Sequence, residues 1–212
     1  MVKVKDLPEN TLNRLVIYLK VLDNLEKKRI DSISSDELAR RCGVNSAQLR
    51  KDLSFVGNLG TKGVGYSVKT LKYHLKKFLG RDHEWNLVLG GLSPLGEYLL
   101  SNKNLQRDGF YFMAAFDIRE ENIGKIINGV SVYNLEQLSY VTKAINVDMA
   151  VITCEETPEI YYEAFAKHNI KAILNLSPLP FFPESKEIQV ENFSFIFALT
   201  KLSYFLKNLK QS

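Results

Sequence analysis

The segment of residues 57–65, GNLGTKGVG, constrains the fold of this chain more than any other stretch. It contains four glycines in nine residues. Glycine loses much conformational freedom in a helix, so the segment cannot continue one and instead predicts a tight hairpin. Any helix that precedes this segment must therefore end before it. Lys62 lies near the middle of the hairpin, among the glycines.

Two short helices are predicted just before the hairpin. Ser34, followed by acidic residues, is typical of a helix start; Gly43 breaks that helix, and Asn45 or Ser46 can cap the next one, which runs to about Phe55. A first helix, a small-residue turn and a short second helix make a helix-turn-helix, whose second helix enters the major groove of DNA. With the hairpin as a wing, the spacing predicts a winged helix-turn-helix that binds duplex DNA.

Four side chains of the second helix are expected to face outward, and the tip of the wing adds a fifth. Glutamine and arginine can pair with base edges, while lysine and serine mostly hold phosphates. A basic residue on a slim hairpin suits a phosphate or the minor groove. The candidate DNA contacts are Ser46, Gln48, Arg50, Lys51 and Lys62.

The charge distribution supports a polyanionic partner for the front of the chain. Residues 1–80 carry a net charge of +8 and residues 81–212 a net charge of −4, within a total of +4. A basic half on an acidic half indicates that only the first half meets a polyanion. The alternative is a small helical domain whose basic face is merely solvated.

Strands alternate with helices from residue 86 onward, which predicts a mostly parallel sheet and an α/β class. The first strand, 86–89, leads into Gly91 and Gly96, with Ser93 where the dinucleotide fingerprint G-x-G-x-x-G has its middle glycine. A second strand ends at Asp117, which could accept from ribose hydroxyls. An apolar run at 193–197 suggests a last strand. The candidate nucleotide contacts are Gly91, Leu92, Ser93, Pro94, Leu95, Gly96 and Asp117.

Other residue patterns argue against catalysis and against a metal site. Cys42 and Cys154 match no metal-ligand spacing, and the three histidines are scattered, with no recognisable catalytic partner. No apolar run reaches the ~18–20 residues that span a bilayer, and the N-terminal sequence lacks the core of a signal peptide. We therefore expect a cytoplasmic protein that is not an enzyme.

Taken together, these segments resemble the Rex family of redox-sensing transcriptional repressors. The resemblance covers nearly the whole chain. It is carried by Arg14–Leu22, Gln48–Asp52 within Val44–Leu53, Gly60–Tyr66, Ala115–Asp117, Gly129–Tyr133, Ile173–Pro178 and Leu199–Leu206.

The resemblance implies a homodimer that binds a palindromic operator and is released when NADH rises relative to NAD, so the implied cofactor is NAD(H). It implies a winged-helix domain at 1–80, a Rossmann domain at 81–195 and a C-terminal dimerisation helix at 196–212, exchanged between subunits. It also adds Tyr66, at the end of the wing motif, to the candidate DNA contacts.

The chain departs from the family at four positions, Lys20, Ser93, Asn102 and Ser194. The family uses three of these, all but Ser93, to couple the nicotinamide to the DNA-binding domain. Two alternatives therefore stay open: a Rex-like repressor whose Rossmann domain dimerises or binds another ligand without sensing NADH, and a small NAD-dependent oxidoreductase.

Overall fold

The structure is a computed structural model and describes residues 7–61 and 63–209. The chain divides into two compact units, Met1–His83 and Glu84–Ser212. Each unit has its own apolar core.

The first unit is a helical domain with a two-stranded ladder. Its elements are α1 (Glu9–Lys27), β1 (Ser32–Ile33), α2 (Ser35–Arg41), α3 (Ser46–Leu53), β2 (Tyr66–Ser67) and α4 (Val68–Phe78). Strands β1 and β2 are antiparallel. The glycine-rich segment forms a tight turn closed by Thr61 and Gly65, which exchange backbone hydrogen bonds of 2.9 and 3.0 Å. The predicted hairpin and helix-turn-helix are therefore present.

The core of the first unit explains why α2 and α3 lie together. Leu38 and Ala39 of α2 and Leu49 and Leu53 of α3 are buried with the apolar stripe of α1. Ala39 has only a methyl group, which allows close approach of the helices. Burial of such side chains stabilises the domain by about 1.5–3 kcal/mol for each large residue.

The second unit alternates strands and helices. Its elements are β3 (Trp85–Gly90), α5 (Pro94–Ser101), α6 (Lys103–Arg107), β4 (Phe110–Asp117), β5 (Ile126–Ile127), β6 (Val130–Asn134), a 3₁₀ turn (Leu135–Gln137), α7 (Leu138–Ala144), β7 (Met149–Ile152), α8 (Pro158–Lys167), β8 (Ala172–Asn175), β9 (Gln189–Asn192) and α9 (Phe195–Leu209).

The strands form one sheet in the order β5-β6-β4-β3-β7-β8-β9, with only β5 antiparallel to its neighbour. Without β5, the six parallel strands follow the order 3-2-1-4-5-6 of the Rossmann fold, in which ligands bind where the order reverses. That point lies between β3 and β7. The predicted fold class is confirmed.

The predicted strand at residues 193–197 is wrong. The last strand is β9, an edge strand whose side chains alternate between exposed and half-buried, so it has no apolar run. Phe193 lies just before α9, and the other apolar residues that suggested a strand, Phe195, Ile196 and Phe197, form the start of α9 and are all at least half exposed. The segment is therefore a helix whose apolar side chains are exposed.

Among the described residues, no helix is long and apolar enough to cross a membrane.

Candidate functional site

Helix α3, the predicted recognition helix, is fixed at its start by side-chain caps. Ser34 Oγ accepts from the Glu37 amide at 3.2 Å to begin α2, and Asn45 Oδ1 accepts from the Gln48 amide at 2.8 Å to begin α3. Gly43 has φ +70°, a backbone conformation that favours glycine, at the turn between the helices. The sequence predicted the break at Gly43 but left the cap of α3 open between Asn45 and Ser46, and the structure shows that Asn45 is the cap.

The outward face of α3 is less uniform than the sequence suggested. Arg50 and Lys51 are exposed. Ser46 and Gln48 are half-buried and have partners in the same unit: the Ser46 hydroxyl donates to Asp36, and Gln48 Nε2 donates to Asp52 Oδ1 at 2.8 Å. Arg50 and Lys51 are thus the two predicted contacts on α3 whose side chains are turned to solvent.

Asp52 is the centre of a buried network that sequence reasoning missed. Its carboxylate is 1% exposed and accepts from Arg14 Nε at 2.6 Å, Arg14 Nη2 at 2.8 Å and the Tyr18 hydroxyl at 2.7 Å, besides Gln48. Arg14 and Tyr18 lie on α1, so the network joins α1 to the recognition helix. The available signal was an acidic residue between two apolar positions, Leu49 and Leu53, of an otherwise basic helix.

The network sets the charge state of each of its members. Burial would raise the pKa of Asp52, but hydrogen bonds from Arg14, Tyr18 and Gln48 lower it. Burial, together with the Asp52 carboxylate, raises the pKa of Tyr18. Asp52 therefore stays ionised and Tyr18 stays protonated, which keeps every hydrogen bond of the network in place.

The Tyr66 ring packs against Gly60 and supports the wing. The Tyr66 side chain is only 6% exposed, and a Cβ atom on Gly60 would lie 2.9 Å from its ring. This burial favours a supporting role over the direct DNA contact predicted for Tyr66. Lys62, the predicted contact at the wing tip, lies outside the described residues.

An open groove of about 620 Å³ separates the wing from the helix-turn-helix, and Asp36, Arg50, Asn58 and Thr61 are among the residues that line it. The groove places the exposed Arg50 beside the wing, as a DNA-binding surface of two parts requires.

In the second unit, the glycine turn after β3 is shaped by close contacts. Gly91 has φ +78°, and a Cβ atom there would collide with Cys154, which follows β7. A Cβ atom on Gly96 would lie 2.6 Å from Thr153 Oγ1. Both glycines are therefore needed to bring the turn and the start of α5 against the end of β7, at the point where the strand order reverses.

Ser93 has a structural reason to replace the middle glycine of the fingerprint. It is the N-cap of α5: its hydroxyl accepts from the Gly96 amide at 3.2 Å, and the residue is buried. Pro94 follows at the first helical position, where proline is favoured because no backbone bond is lost. Leu92 is buried and Leu95 half-buried beside them. The turn can still present a helix N-terminus to a pyrophosphate group.

Asp117 lies at the end of β4 with its carboxylate fully buried. It accepts from the Leu92 amide at 2.7 Å and from Asn122 Nδ2 at 2.9 Å. Arg119 donates three more hydrogen bonds: its amide at 2.9 Å, Nε at 3.2 Å and Nη2 at 3.0 Å. Burial would raise the pKa of Asp117, but these hydrogen bonds, with those of the Arg119 side chain strongest, lower it to about 2. Asp117 thus joins the glycine turn to β4 as an ionised carboxylate.

The arrangement of these residues fits a dinucleotide. The glycine turn, the α5 N-terminus and Asp117 stand in the order in which a Rossmann domain binds the pyrophosphate and the adenosine ribose. The fit requires one partner of Asp117 to give way to the ribose hydroxyls.

Of the remaining departures from the family, Asn102 has a local role. Asn102 caps α6, where its Oδ1 accepts from the Asn104 amide at 3.0 Å, and its Nδ2 is 3.4 Å from the Tyr98 hydroxyl. Ser194 directly precedes α9, and Lys20 is exposed on α1. Cys42 and Cys154 are free thiols. In residues 7–61 and 63–209, no group of three or more His, Cys, Asp or Glu could hold a metal ion.

Comparisons with known proteins agree with this division of the chain. Residues 6–54 match a family model described as "Putative DNA-binding protein N-terminus". Residues 82–179 match a model described as "CoA binding domain".

Curated relatives match most of the chain. The chain is 37% identical over 210 residues to the redox-sensing transcriptional repressor Rex of Syntrophobacter fumaroxidans. The alignment covers 96% of this chain and 98% of the relative. It is 39% identical over 176 residues to the protein of the same name from Carboxydothermus hydrogenoformans, covering 81% of this chain and 83% of the relative.

Solved structures give the same result. The chain matches RSP in complex with β-NAD⁺ and operator DNA with a TM-score of 0.92 and 27% identity, over 98% of this chain and 95% of the other. It matches RSP in complex with β-NADH with a TM-score of 0.85 and 26% identity, over 98% and 97% of the two chains. The chain therefore belongs to the Rex family of redox-sensing transcriptional repressors.

Proposed function

We propose that this protein binds operator DNA as a homodimer through its winged helix and leaves the operator when NADH replaces NAD⁺ in its Rossmann domain. The observation that carries the proposal is the presence of both parts in one chain. Arg50 and Lys51 are exposed on a capped recognition helix. A glycine turn followed by Asp117 lies where the strand order of the Rossmann sheet reverses. The likeness to RSP, which has been solved with NAD⁺ and operator DNA and with NADH, supports the same conclusion.

Helix α9 supports the dimer. None of its residues is buried, although it has 15 residues and a largely apolar composition. Exposed apolar surface of this extent is typical of a protein interface, and a second copy of the chain would cover it. Two recognition helices related by a two-fold axis then read a palindromic operator. The large apolar side chains exposed on this helix are Phe195, Ile196, Phe197, Leu199, Leu202, Tyr204, Phe205, Leu206 and Leu209.

Release by NADH requires a difference in affinity. A ligand shifts a two-state equilibrium only if it binds the two states unequally. NADH must therefore favour the dimer conformation that does not fit the operator, and NAD⁺ the conformation that does.

The test is a titration of NADH against the protein bound to DNA. The duplex is one that the purified protein itself selects from a random pool, and the salt concentration is fixed because phosphate contacts make the affinity salt-dependent. We expect NADH to lower the bound fraction, and added NAD⁺ to restore it. Unchanged occupancy at saturating NADH would refute the sensor.

A second candidate is a Rex-like repressor whose Rossmann domain dimerises or binds another ligand. The observation that favours it is the complete hydrogen bonding of Asp117, which leaves no acceptor for a ribose in this conformation. Measurement of NADH binding to the free protein separates the two, because only the sensor requires it.

The proposal includes the absence of catalysis, since the relatives are repressors by name. Hydride transfer from NADH to a carbonyl compound by the purified protein would contradict it. A protein that binds chromosomal operator DNA in a bacterium works in the cytoplasm, so we extend the proposal to that compartment.

A further inference from the structure

The hydrogen bonds of Asp117 exceed what a carboxylate normally accepts. Two oxygens offer about four lone-pair sites. Asp117 has five hydrogen bonds of 3.2 Å or less, two to Oδ1 and three to Oδ2. The Tyr161 hydroxyl lies 3.5 Å from Oδ1 as well. The ribose of a dinucleotide cannot add two hydroxyl donors unless an existing donor withdraws.

Four of these donor groups are held in place by the fold. The Leu92 and Arg119 amides belong to the backbone at the glycine turn and at the end of β4. Asn122 is buried, and its Oδ1 accepts from Lys125 Nζ at 2.6 Å, which fixes the orientation of the amide. Tyr161 is fully buried on α8.

The Arg119 side chain differs from the other donors because 43% of it is exposed. Its Nη2 donates both to Asp117 and, at 2.8 Å, to the backbone oxygen of Leu92 in the glycine turn. The guanidinium therefore spans the gap between the turn and the end of β4, where an adenosine ribose would enter. Water can take over its hydrogen bonds when it swings outward.

We propose that the Arg119 guanidinium is a displaceable internal counter-ion, which occupies the ribose-binding edge of Asp117 and competes with the adenosine ribose of NAD(H). This inference rests on the proposed function, because it concerns the same nucleotide site. Arg119 thereby lowers nucleotide affinity and sets the concentration at which the sensor fills.

An arginine at this position also has another known use, which is to hold the 2′-phosphate of NADP. The charges around Arg119 favour competition instead. Asp117 neutralises the guanidinium through two hydrogen bonds, and Glu121 is a further nearby negative charge. A 2′-phosphate entering here would meet carboxylates as well as the arginine.

The experiment compares NADH binding to the wild-type protein, to Arg119→Ala and to Arg107→Ala by isothermal titration calorimetry. Arg107 is an exposed arginine of the same unit, on α6, and serves as the matched control. We expect Arg119→Ala to bind NADH about two- to fivefold more tightly, the range expected when a half-exposed ion pair no longer competes. Arg107→Ala should bind like the wild type. ADP-ribose, which lacks the nicotinamide, should show the same gain with Arg119→Ala.

A thermal melt separates this role from a purely structural one. Without nucleotide, Arg119→Ala should melt at a lower temperature than the wild type because it loses the ion pair with Asp117. The shift that a fixed concentration of NADH produces should nevertheless be larger. Arg119→Gln, which keeps most of the side chain's bulk, should behave in the same way if Arg119→Ala folds poorly.

Three results would overturn the inference. The first is NADH affinity that is unchanged or weaker in both Arg119 variants while the wild type binds NADH, which leaves the proposed function intact. The second is wild-type affinity for NADPH equal to that for NADH and lost in Arg119→Ala, which would make Arg119 a phosphate ligand. The third is no NADH binding by any of these proteins, which would end the proposed function as well.

Discussion

Two buried carboxylates, one in each unit, are held by an arginine in the same two-pronged way, yet their surroundings differ. Asp52 is bonded by Arg14 through Nε and Nη2, as Asp117 is by Arg119. The Arg14 side chain is 25% exposed and also donates to Thr11 within α1, whereas the Arg119 side chain is 43% exposed and also donates to the Leu92 carbonyl in the glycine turn.

The other donors explain what each network does. The Asp52 carboxylate accepts hydrogen bonds from side chains of α1 and α3, so its replacement removes the polar contacts that join the two helices. The Asp117 carboxylate accepts hydrogen bonds from the backbone amides of Leu92 and Arg119. It therefore keeps its position even when the Arg119 side chain swings away. The Asp52 network therefore holds the recognition helix in place and acts as its brace. In the Asp117 network, the Arg119 guanidinium is the donor that we propose a ligand displaces.

The largest loss of stability is expected when Asp52, the centre of the network between α1 and α3, is replaced. Asp52→Asn leaves the Arg14 cation without its anion between α1 and α3, and removal of one partner of such a buried pair costs about 3 kcal/mol or more. Urea unfolding followed by far-ultraviolet circular dichroism measures the loss in the first unit, once the transition of the second unit is assigned from the fluorescence of Trp85. Asp31→Asn, an exposed aspartate of the same unit, is the control and should change little. A smaller loss of unfolding free energy for Asp52→Asn than for Asp117→Asn would show that the Asp52 network stabilises its unit less than the Asp117 network does.

A somewhat smaller effect, with a defined pH dependence, is expected at Asp117. Its pKa falls from a usual value of 3.8 to about 2 in the folded protein. A lowered carboxylate pKa stabilises the fold above the unfolded value and ceases to do so as the pH falls through the folded value. The contribution is therefore about 2 kcal/mol at neutral pH and disappears between about pH 4 and pH 2.

Fluorescence of Trp85, the single tryptophan of the chain, follows unfolding of the second unit directly. The stability difference between wild type and Asp117→Asn should be full at neutral pH and should shrink as the pH approaches about 2. A difference that stays constant across this range would show that Asp117 does not act through its charge.

The smallest change is expected at Gln48, on helix α3. Because the Gln48 amide is committed to Asp52, Gln48→Ala should weaken operator affinity less than Arg50→Ala, by a margin of about 1 kcal/mol or more. Fluorescence anisotropy with a labelled operator duplex measures both. A greater loss for Gln48→Ala would mean that the brace opens on DNA and that Gln48 reads a base.

Much of the fold could be predicted because it is encoded locally. Ser34, Gly43 and Asn45 each specify a cap or a turn within a few residues, and the glycine-rich wing excludes a helix by itself. The alternation of strands and helices was enough to predict the parallel sheet, whereas the role of Asp117 in nucleotide binding stays a prediction. These features depend on near neighbours in the chain.

The parts that were missed depend on distant partners. The Asp52 network needs Arg14, which lies 38 positions away, and no local pattern pairs them. The apolar run at 193–197 was predicted as a strand because so short a run fits both the repeat of a strand and that of a helix. Arg119 was overlooked because its role follows only from the geometry of Asp117.

If nucleotide and operator DNA act on one conformational equilibrium of the protein, each must change the affinity for the other. By linkage, NADH must weaken operator binding by the same factor by which the operator weakens NADH binding. The measurement is the dissociation constant of NADH for the free dimer and for the dimer saturated with operator duplex, at one salt concentration. We predict weaker NADH binding on DNA, by the factor found in the operator titration. Equal NADH affinity with and without DNA would show that the nucleotide and the operator are not coupled in this protein.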